Sequence, residues 1–358
     1  METIYTLRRE RAEHVAPYLL FDLNHATQRM EWQFAFFSTN LHNLLPSLPR
    51  REYIPTFRRL HASLALSFMD IEHATCPDFM QIQGWDNAWA ATLHERPGII
   101  CTFHTGAYRH LNYVLMQMGV PISIVMAGRA IRGEQRLLDK LAVRMAESGQ
   151  DQKPDVEFID AELPHALFRM AKAAKHGRSL LVYIDGNTGA QGSATADAAR
   201  NLLAIPFCGW QMNVRQGVAA LAYRLQVPLY PIICERELGW GLHLSHRLTY
   251  WHFNRICPLP DEPQAAFAAR ATKRLYGLLE QFVAQKPDQW EGWLNLQHHL
   301  VTPAPTELDE EENPIRWAPF RWGKKAFLLH RPTYMSYRVS WKEFYQKYPW
   351  YNMDFLEI

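Results

Sequence analysis

Between residues 98 and 247 the sequence alternates short apolar runs with longer amphipathic segments, and this pattern restricts the chain more than any other feature. Apolar runs too short for buried helices, each followed by a segment long enough to cross over, are what βαβ units require. The runs at 98–103, 121–126, 156–159, 179–184, 204–207 and 228–234 are read as strands. Segments 106–118, 133–148, 162–176 and 213–226 are read as crossover helices, with a further helix over 262–285. The prediction is an α/β fold: a mostly parallel central sheet flanked by helices.

The flanks differ from this core. From about residue 10 to residue 75 apolar residues recur at helical spacings, in Trp32, Phe34, Phe36 and Phe37 and again in Leu60, Leu64 and Phe68. Pro46 and Pro49 divide that stretch into separate helices. Near the other end, Thr302 to Pro314 is rich in proline and acid and has little to bury, as a linker does. Beyond it stands a basic, aromatic stretch with Trp317, Phe320, Trp322, Phe327, Tyr334, Tyr337, Trp341, Phe344 and Tyr345. So many rings predict packing against the core or a partner. The expected organisation is an N-terminal helical region over 1–75, an α/β core over 76–300, a linker over 301–314 and an aromatic C-terminal extension over 315–358.

Composition removes several classes of function. The 358 residues carry 38 basic and 36 acidic side chains, a net charge of +2, which gives no general attraction to nucleic acid. The five cysteines, Cys76, Cys101, Cys208, Cys234 and Cys257, are odd in number and widely spaced, which suits reduced thiols and a cytoplasmic setting. No Cys-x-x-Cys or His-Glu-x-x-His occurs, so no metal site is expected, and neither a phosphate loop nor a Gly-x-Ser-x-Gly elbow is present. Charges fill the start of the chain where a signal peptide needs an apolar core, and no run of 18 apolar residues appears. No transmembrane segment is therefore expected, while peripheral contact with the inner face of a membrane stays open.

Candidate chemistry concentrates at two strand ends. In Gly98-Ile-Ile-Cys-Thr-Phe-His104-Thr-Gly-Ala-Tyr-Arg109-His110 a buried-looking strand runs directly onto a histidine and a glycine-containing turn. Open α/β sheets place ligands at the carboxyl ends of strands, which is where His104 falls. A lone histidine is more often structural than catalytic, so the segment is only suggestive by itself. The strand at 179–184 likewise ends on Asp185-Gly186-Asn187 and a loop with Gly189 and Gly192. Glycines there permit close backbone approach to a ligand, as a plain surface loop would also allow. A third segment, Ile205-Pro-Phe-Cys-Gly209 followed by the helix-like Gly217 to Pro231, reads as scaffold.

In this order and spacing the three segments resemble the lysophospholipid acyltransferase superfamily, and most of all its bacterial lipid A late acyltransferase branch. The resemblance spans roughly residues 98 to 293 and ends on Pro287-Asp-Gln-Trp290-Glu-Gly-Trp293. Two departures stand out. The family's first block places Asp or Glu five positions after its histidine, where this chain has Arg109 followed by His110. The family's N-terminal membrane anchor also has no counterpart, which points to a soluble acceptor, such as an intermediate of a specialised-metabolite pathway.

The resemblance implies a catalytic group of His104 with Arg109 and His110, and His104 as general base on an acceptor hydroxyl or amine. It implies substrate binding by Arg129, Asp185, Gly186 and Asn187. The co-substrate would be an acyl thioester of phosphopantetheine, on an acyl or peptidyl carrier protein or on coenzyme A, with no bound cofactor. The acceptor would be a small molecule or a lipid. Arg109 near His104 would lower the imidazole's pKa, and then either another acidic side chain from a distant segment orients the ring or the acceptor is an amine that needs less help; an Arg109 facing away from His104 would instead bind the phosphate of a pantetheine arm. A non-catalytic acyl or carrier-protein binder and a thioester hydrolase remain the two alternatives.

Overall fold

The apolar runs become strands in the structure, a computed structural model that describes residues 2–74, 79–85, 87–147, 155–186, 202–239, 247–302 and 314–349. Two units interleave along the chain: residues 1–16, 62–203 and 214–290 form the first, and 17–61, 204–213 and 291–358 the second. The helices are α1 (Glu2–Leu19), α2 (Gln28–Leu44), α3 (Tyr53–His73), α4 (Asn87–Glu95), α5 (His110–Gln117), α6 (Gly128–Glu147), α7 (Ala166–Lys175), α8 (Gly217–Leu225), α9 (Gln264–Gln285) and α10 (Trp341–Lys347). No described helix is long and apolar enough to cross a membrane.

The first unit is built on a seven-stranded sheet. In chain order the strands up to residue 252 are β1 (Gln81–Gln83), β2 (Ile99–Thr102), β3 (Ile122–Met126), β4 (Val156–Asp160), β5 (Ser179–Tyr183), β6 (Leu202–Phe207), β7 (Trp210–Arg215), β8 (Leu229–Arg236) and β9 (Arg247–His252). The sheet order is β1-β9-β8-β2-β5-β3-β4, and every neighbouring pair is parallel except β8 with β9. All four residues of β2 are buried, as continuous apolar runs in a covered parallel sheet should be. Helix α5, between β2 and β3, is buried from His110 to Met116. Helix α6 is amphipathic and buries only Leu138, Leu141 and Met145, a single stripe at helical spacing. Cys101 and Cys234 lie in this core with their thiol pKa values raised by burial, while Cys76 lies outside the described residues.

One expected strand does not join the sheet. Residues 202–207 form β6, which pairs instead with β7 as a separate two-stranded sheet. Cys208 and Gly209 between them both have positive φ, 49° and 78°. A two-residue turn of that kind reverses the chain with the twist of an antiparallel hairpin. The helix expected from residue 213 consequently starts only at Gly217.

In the second unit the aromatic extension is ordered. Strands β10 (Trp317–Trp322), β11 (Lys325–His330) and β12 (Met335–Val339) form an antiparallel sheet. Phe320 and Phe327 stack across it with centroids 5.2 Å apart, and Phe344 of α10 is fully buried beside Ala326 and Leu328. Helix α2 supplies Trp32 against Trp322 and Phe36 against Phe320. Its buried Glu31 accepts from both Nε and Nη2 of Arg321. Phe320, Phe327 and Phe344 are thus engaged by packing within their own unit.

Candidate active site

The parallel register of β2 and β5 brings the two strand ends together. Ile99 faces Leu180 and Thr102 faces Tyr183, so His104 and Asp185, each two residues beyond its strand, come level at the carboxyl edge of the sheet. Beyond His104 the chain turns at Gly106, whose φ is +50°. A Cβ there would lie 2.7 Å from the Cys234 carbonyl oxygen and 2.8 Å from the Arg236 amide nitrogen, so the turn against β8 admits only glycine. The Gly106 amide donates to the Gln289 carbonyl at 2.8 Å, and Thr105 bridges to Trp290.

His104 and Asp185 form a hydrogen-bonded pair. Nδ1 of His104 stands 2.8 Å from Oδ1 of Asp185, and the His104 amide donates to the same carboxylate at 3.0 Å. Trp290 Nε1 donates to Oδ2 at 2.8 Å. The carboxylate side chain is 5% exposed and the imidazole 27%. Burial alone would raise the Asp185 pKa, but the charge of His104 and the hydrogen bonds from His104 and Trp290 outweigh it and hold the pKa below the ordinary carboxylate value. An ionised carboxylate on Nδ1 selects the tautomer with its proton there and makes Nε2 the basic nitrogen. Tyr108 and Tyr183 flank the imidazole at centroid distances of 4.8 and 5.0 Å. Burial pushes the Tyr183 phenol far above its usual pKa, so that ring stays neutral.

The pair opens on a cavity of about 370 Å3 whose lining includes His104, Tyr108, Arg109, Arg129, Gly186 and Arg215. Three residues named from the sequence, Arg109, Arg129 and Gly186, therefore share one space with His104. Asp185, expected to touch substrate, is instead engaged by His104 and Trp290. Arg109 turns to Glu134, with Nε 3.1 Å from Oε1, and its guanidinium lies 4.2 Å over the ring of Phe68 and 4.7 Å over that of Tyr108. Its charge is met by Glu134, and the carboxylate on the His104 ring is Asp185, from the end of β5.

His110 is not brought to the cavity. It is fully buried, with Nδ1 2.7 Å from the Tyr250 hydroxyl. Burial takes its pKa down to about 4, with Asp70 opposing and Arg236 and Arg11 reinforcing that shift. A neutral imidazole sealed in the core cannot exchange protons with a substrate, so the expected catalytic place of His110 is corrected to a core one. Asn187 lies outside the described residues. Among the cavity and pair residues with no role assigned from sequence are Trp290, Glu134, Arg215, Tyr108 and Tyr183. Only Trp290 carried a signal, within the Pro287-to-Trp293 element.

No protein-family model matches the chain, and no curated protein matches it in sequence. Among solved structures, the crystal structure of the 1-acyl-sn-glycerophosphate (LPA) acyltransferase PlsC from Thermotoga maritima is similar at a TM-score of 0.33 and 10% identity, over 72% of this chain and 97% of that one. A likeness of that size assigns no activity, and the chemistry has to come from the residues of the site.

Proposed function

We propose that this chain is an acyltransferase that moves an acyl group from a phosphopantetheine thioester to a hydroxyl or amine acceptor. The donor would ride on an acyl or peptidyl carrier protein or on coenzyme A, and the acceptor would be a small molecule or a lipid. The observation that carries this reading is the 2.8 Å contact of His104 with Asp185 at the edge of a cavity whose lining includes Arg129 and Arg215 beside Glu134 and Glu162. His104 Nε2 takes the proton of the acceptor as its oxygen or nitrogen bonds to the thioester carbonyl carbon. The tetrahedral intermediate collapses by breaking the C–S bond, and the departing sulfur receives the proton back from Nε2. Asp185 stabilises the imidazolium between these two steps, as a buried carboxylate partner of a catalytic histidine does. Arg129 and Arg215 supply positive charge suited to the phosphate of a pantetheine arm or of a phosphorylated acceptor.

The non-catalytic alternative drew on the missing carboxylate at position 109. A carboxylate reaches His104 from position 185, which supports turnover. The test is to incubate the purified protein with an acyl-carrier thioester, with and without candidate acceptors, and to follow carrier and acceptor by intact mass. Acceptor-dependent loss of the acyl group, reduced ~10²-fold or more by His104→Ala and also by Asp185→Asn, is the expected result. Release of free acid would make the protein a hydrolase, and no acyl loss would make it a binder.

A further inference from the structure

The second unit contains a cavity of about 460 Å3 that the proposed reaction does not use. Phe34, Ile54, Trp317 and Pro319 give it apolar walls. Among the described residues its charged lining consists of Arg50, Arg331 and Lys347, with no acidic side chain. A volume of this size lies in the range of small-molecule sites, roughly 300–1,000 Å3.

Arg331 is fixed where it stands. Its amide donates to the Arg316 carbonyl at 2.8 Å, and its own carbonyl accepts from Asn43 Nδ2 at 2.7 Å. Through Nη1 the guanidinium donates to Ser38 Oγ at 3.3 Å and Thr39 Oγ1 at 3.2 Å, both on α2. Nε and Nη2, the two donors that match a carboxylate side by side, reach no acceptor among the described residues. Arg321 of β10 shows the same two donors engaged by a carboxylate, with Nε 2.8 Å from Oε1 of Glu31 and Nη2 on that oxygen as well. Burial draws the Arg331 pKa down to about 10, with Arg50 acting in the same sense and the phenols of Tyr53, Tyr348 and Tyr334 opposing, so it is a cation at neutral pH. Among the described residues no carboxylate pairs with this partly buried guanidinium, so its two remaining donors are open to an anion.

We propose that this cavity is a second binding site, for an amphipathic carboxylate whose head pairs with Nε and Nη2 of Arg331 and whose aliphatic body lies along Phe34, Ile54, Trp317 and Pro319. The bidentate geometry favours a planar carboxylate. The apolar walls favour a hydrocarbon body over a bare anion. Arg50 and Lys347 draw the ligand in and discriminate against cations of the same shape.

Isothermal titration calorimetry of the full chain with sodium dodecanoate tests this, with dodecyltrimethylammonium as the same chain of opposite charge and acetate as the head without the chain. Saturable binding of dodecanoate is expected, ~10-fold or more tighter than either control, which corresponds to ~1.4 kcal/mol or more. Arg331→Met should weaken dodecanoate at least ~10-fold by removing the paired charge. Ile54→Trp, at a half-buried helix position, should do the same by filling the space while every charge stays, and it decides the matter where Arg331→Met does not fold. Absence of saturable binding, equal binding of dodecyltrimethylammonium, or dodecanoate binding that survives both substitutions would each overturn the proposal.

Discussion

Asp185 and Asp70 are both buried aspartates of the first unit held by basic side chains, and only one belongs to a site that opens to ligand. Asp70 lies between two arginines: Arg11 Nη2 is 2.9 Å and Arg236 Nη1 3.1 Å from its Oδ1, and Arg236 Nη2 holds Oδ2. All three side chains are 0% exposed. Burial would raise the pKa of Asp70, but the two guanidiniums outweigh it and keep the group ionised. Asp185 has a histidine partner with 27% of its side chain exposed. The difference lies in the partner. Arginine cannot give up its proton, so the Asp70 cluster is a permanent set of charges fit only to hold structure. Imidazole can accept and return one, so the Asp185 pair is fit to work once a face is open. The sealed cluster also lies next to the working pair: the Arg236 amide donates to Gln289 Oε1 at 2.9 Å, and the Gln289 carbonyl receives the Gly106 amide beside His104.

The sharpest way to break this contrast is to neutralise each aspartate. Asp70→Asn leaves two buried guanidiniums facing an amide, and removing one member of a buried ion cluster costs ~3–5 kcal/mol. In Asp185→Asn the new amide oxygen can still accept from Trp290, and only the partly exposed histidine loses its anion, so the loss should stay below ~2 kcal/mol. Urea unfolding of both variants decides it, and equal losses would mean that Asp185 is as much scaffold as Asp70.

His104→Ala carries the comparison to its functional side. Activity should fall ~10²-fold or more, the usual size for a lost general base, with unfolding free energy within ~1 kcal/mol of the parent because the ring is partly exposed. A variant that loses stability and keeps its turnover would reverse the assignment.

His110 supplies a pH test of the sealed side. Its folded pKa of about 4 lies below the ~6.5 of an unfolded histidine. Between those values the unfolded chain binds a proton that the native state refuses. The contribution of His110 is therefore full above pH ~6.5 and is lost progressively as the pH falls toward 4, with a limiting slope of ~1.4 kcal/mol per pH unit. His110→Gln keeps a polar partner for Tyr250 and should flatten stability between pH 6.5 and 5, read as urea midpoints at several pH values. Some slope should remain, because His61 of the second unit is also held down to about 4 by burial. Parallel curves for parent and variant would mean that His110 is protonated in the native state.

The strands of the parallel sheet were legible because burial on both faces writes itself as a continuous apolar run, as in Ile99 to Phe103. The β6–β7 hairpin was not, because its turn uses Cys208 in a conformation usually signalled by Asn or Asp, leaving Gly209 as the only local cue. The site divided in the same way. His104 and Asp185 each declared themselves as polar residues at strand ends, but their pairing depends on the β2–β5 register, which no local spacing records. The nearness of His110 to His104 in sequence says nothing about direction: His110 opens α5, and its first turn points into the core.

The smallest effect concerns Arg109, which shares the cavity with His104 and pairs with Glu134. The Arg109 and Glu134 side chains are 17% and 14% exposed, so their attraction is screened less than that of a surface pair. Arg109→Glu sets two carboxylates against each other and removes the guanidinium from the rings of Phe68 and Tyr108. Glu134→Arg creates the opposite repulsion, and the double variant restores a pair with its signs exchanged. A double-mutant cycle on unfolding free energies should return a coupling of ~1 kcal/mol. Activity should not rise in Arg109→Glu, because Nδ1 of His104 already has Asp185 and a second carboxylate has no ring nitrogen left to orient. A several-fold increase in turnover on Arg109→Glu would mean that Asp185 is an insufficient partner and that His104 in this chain works below the rate its fold allows.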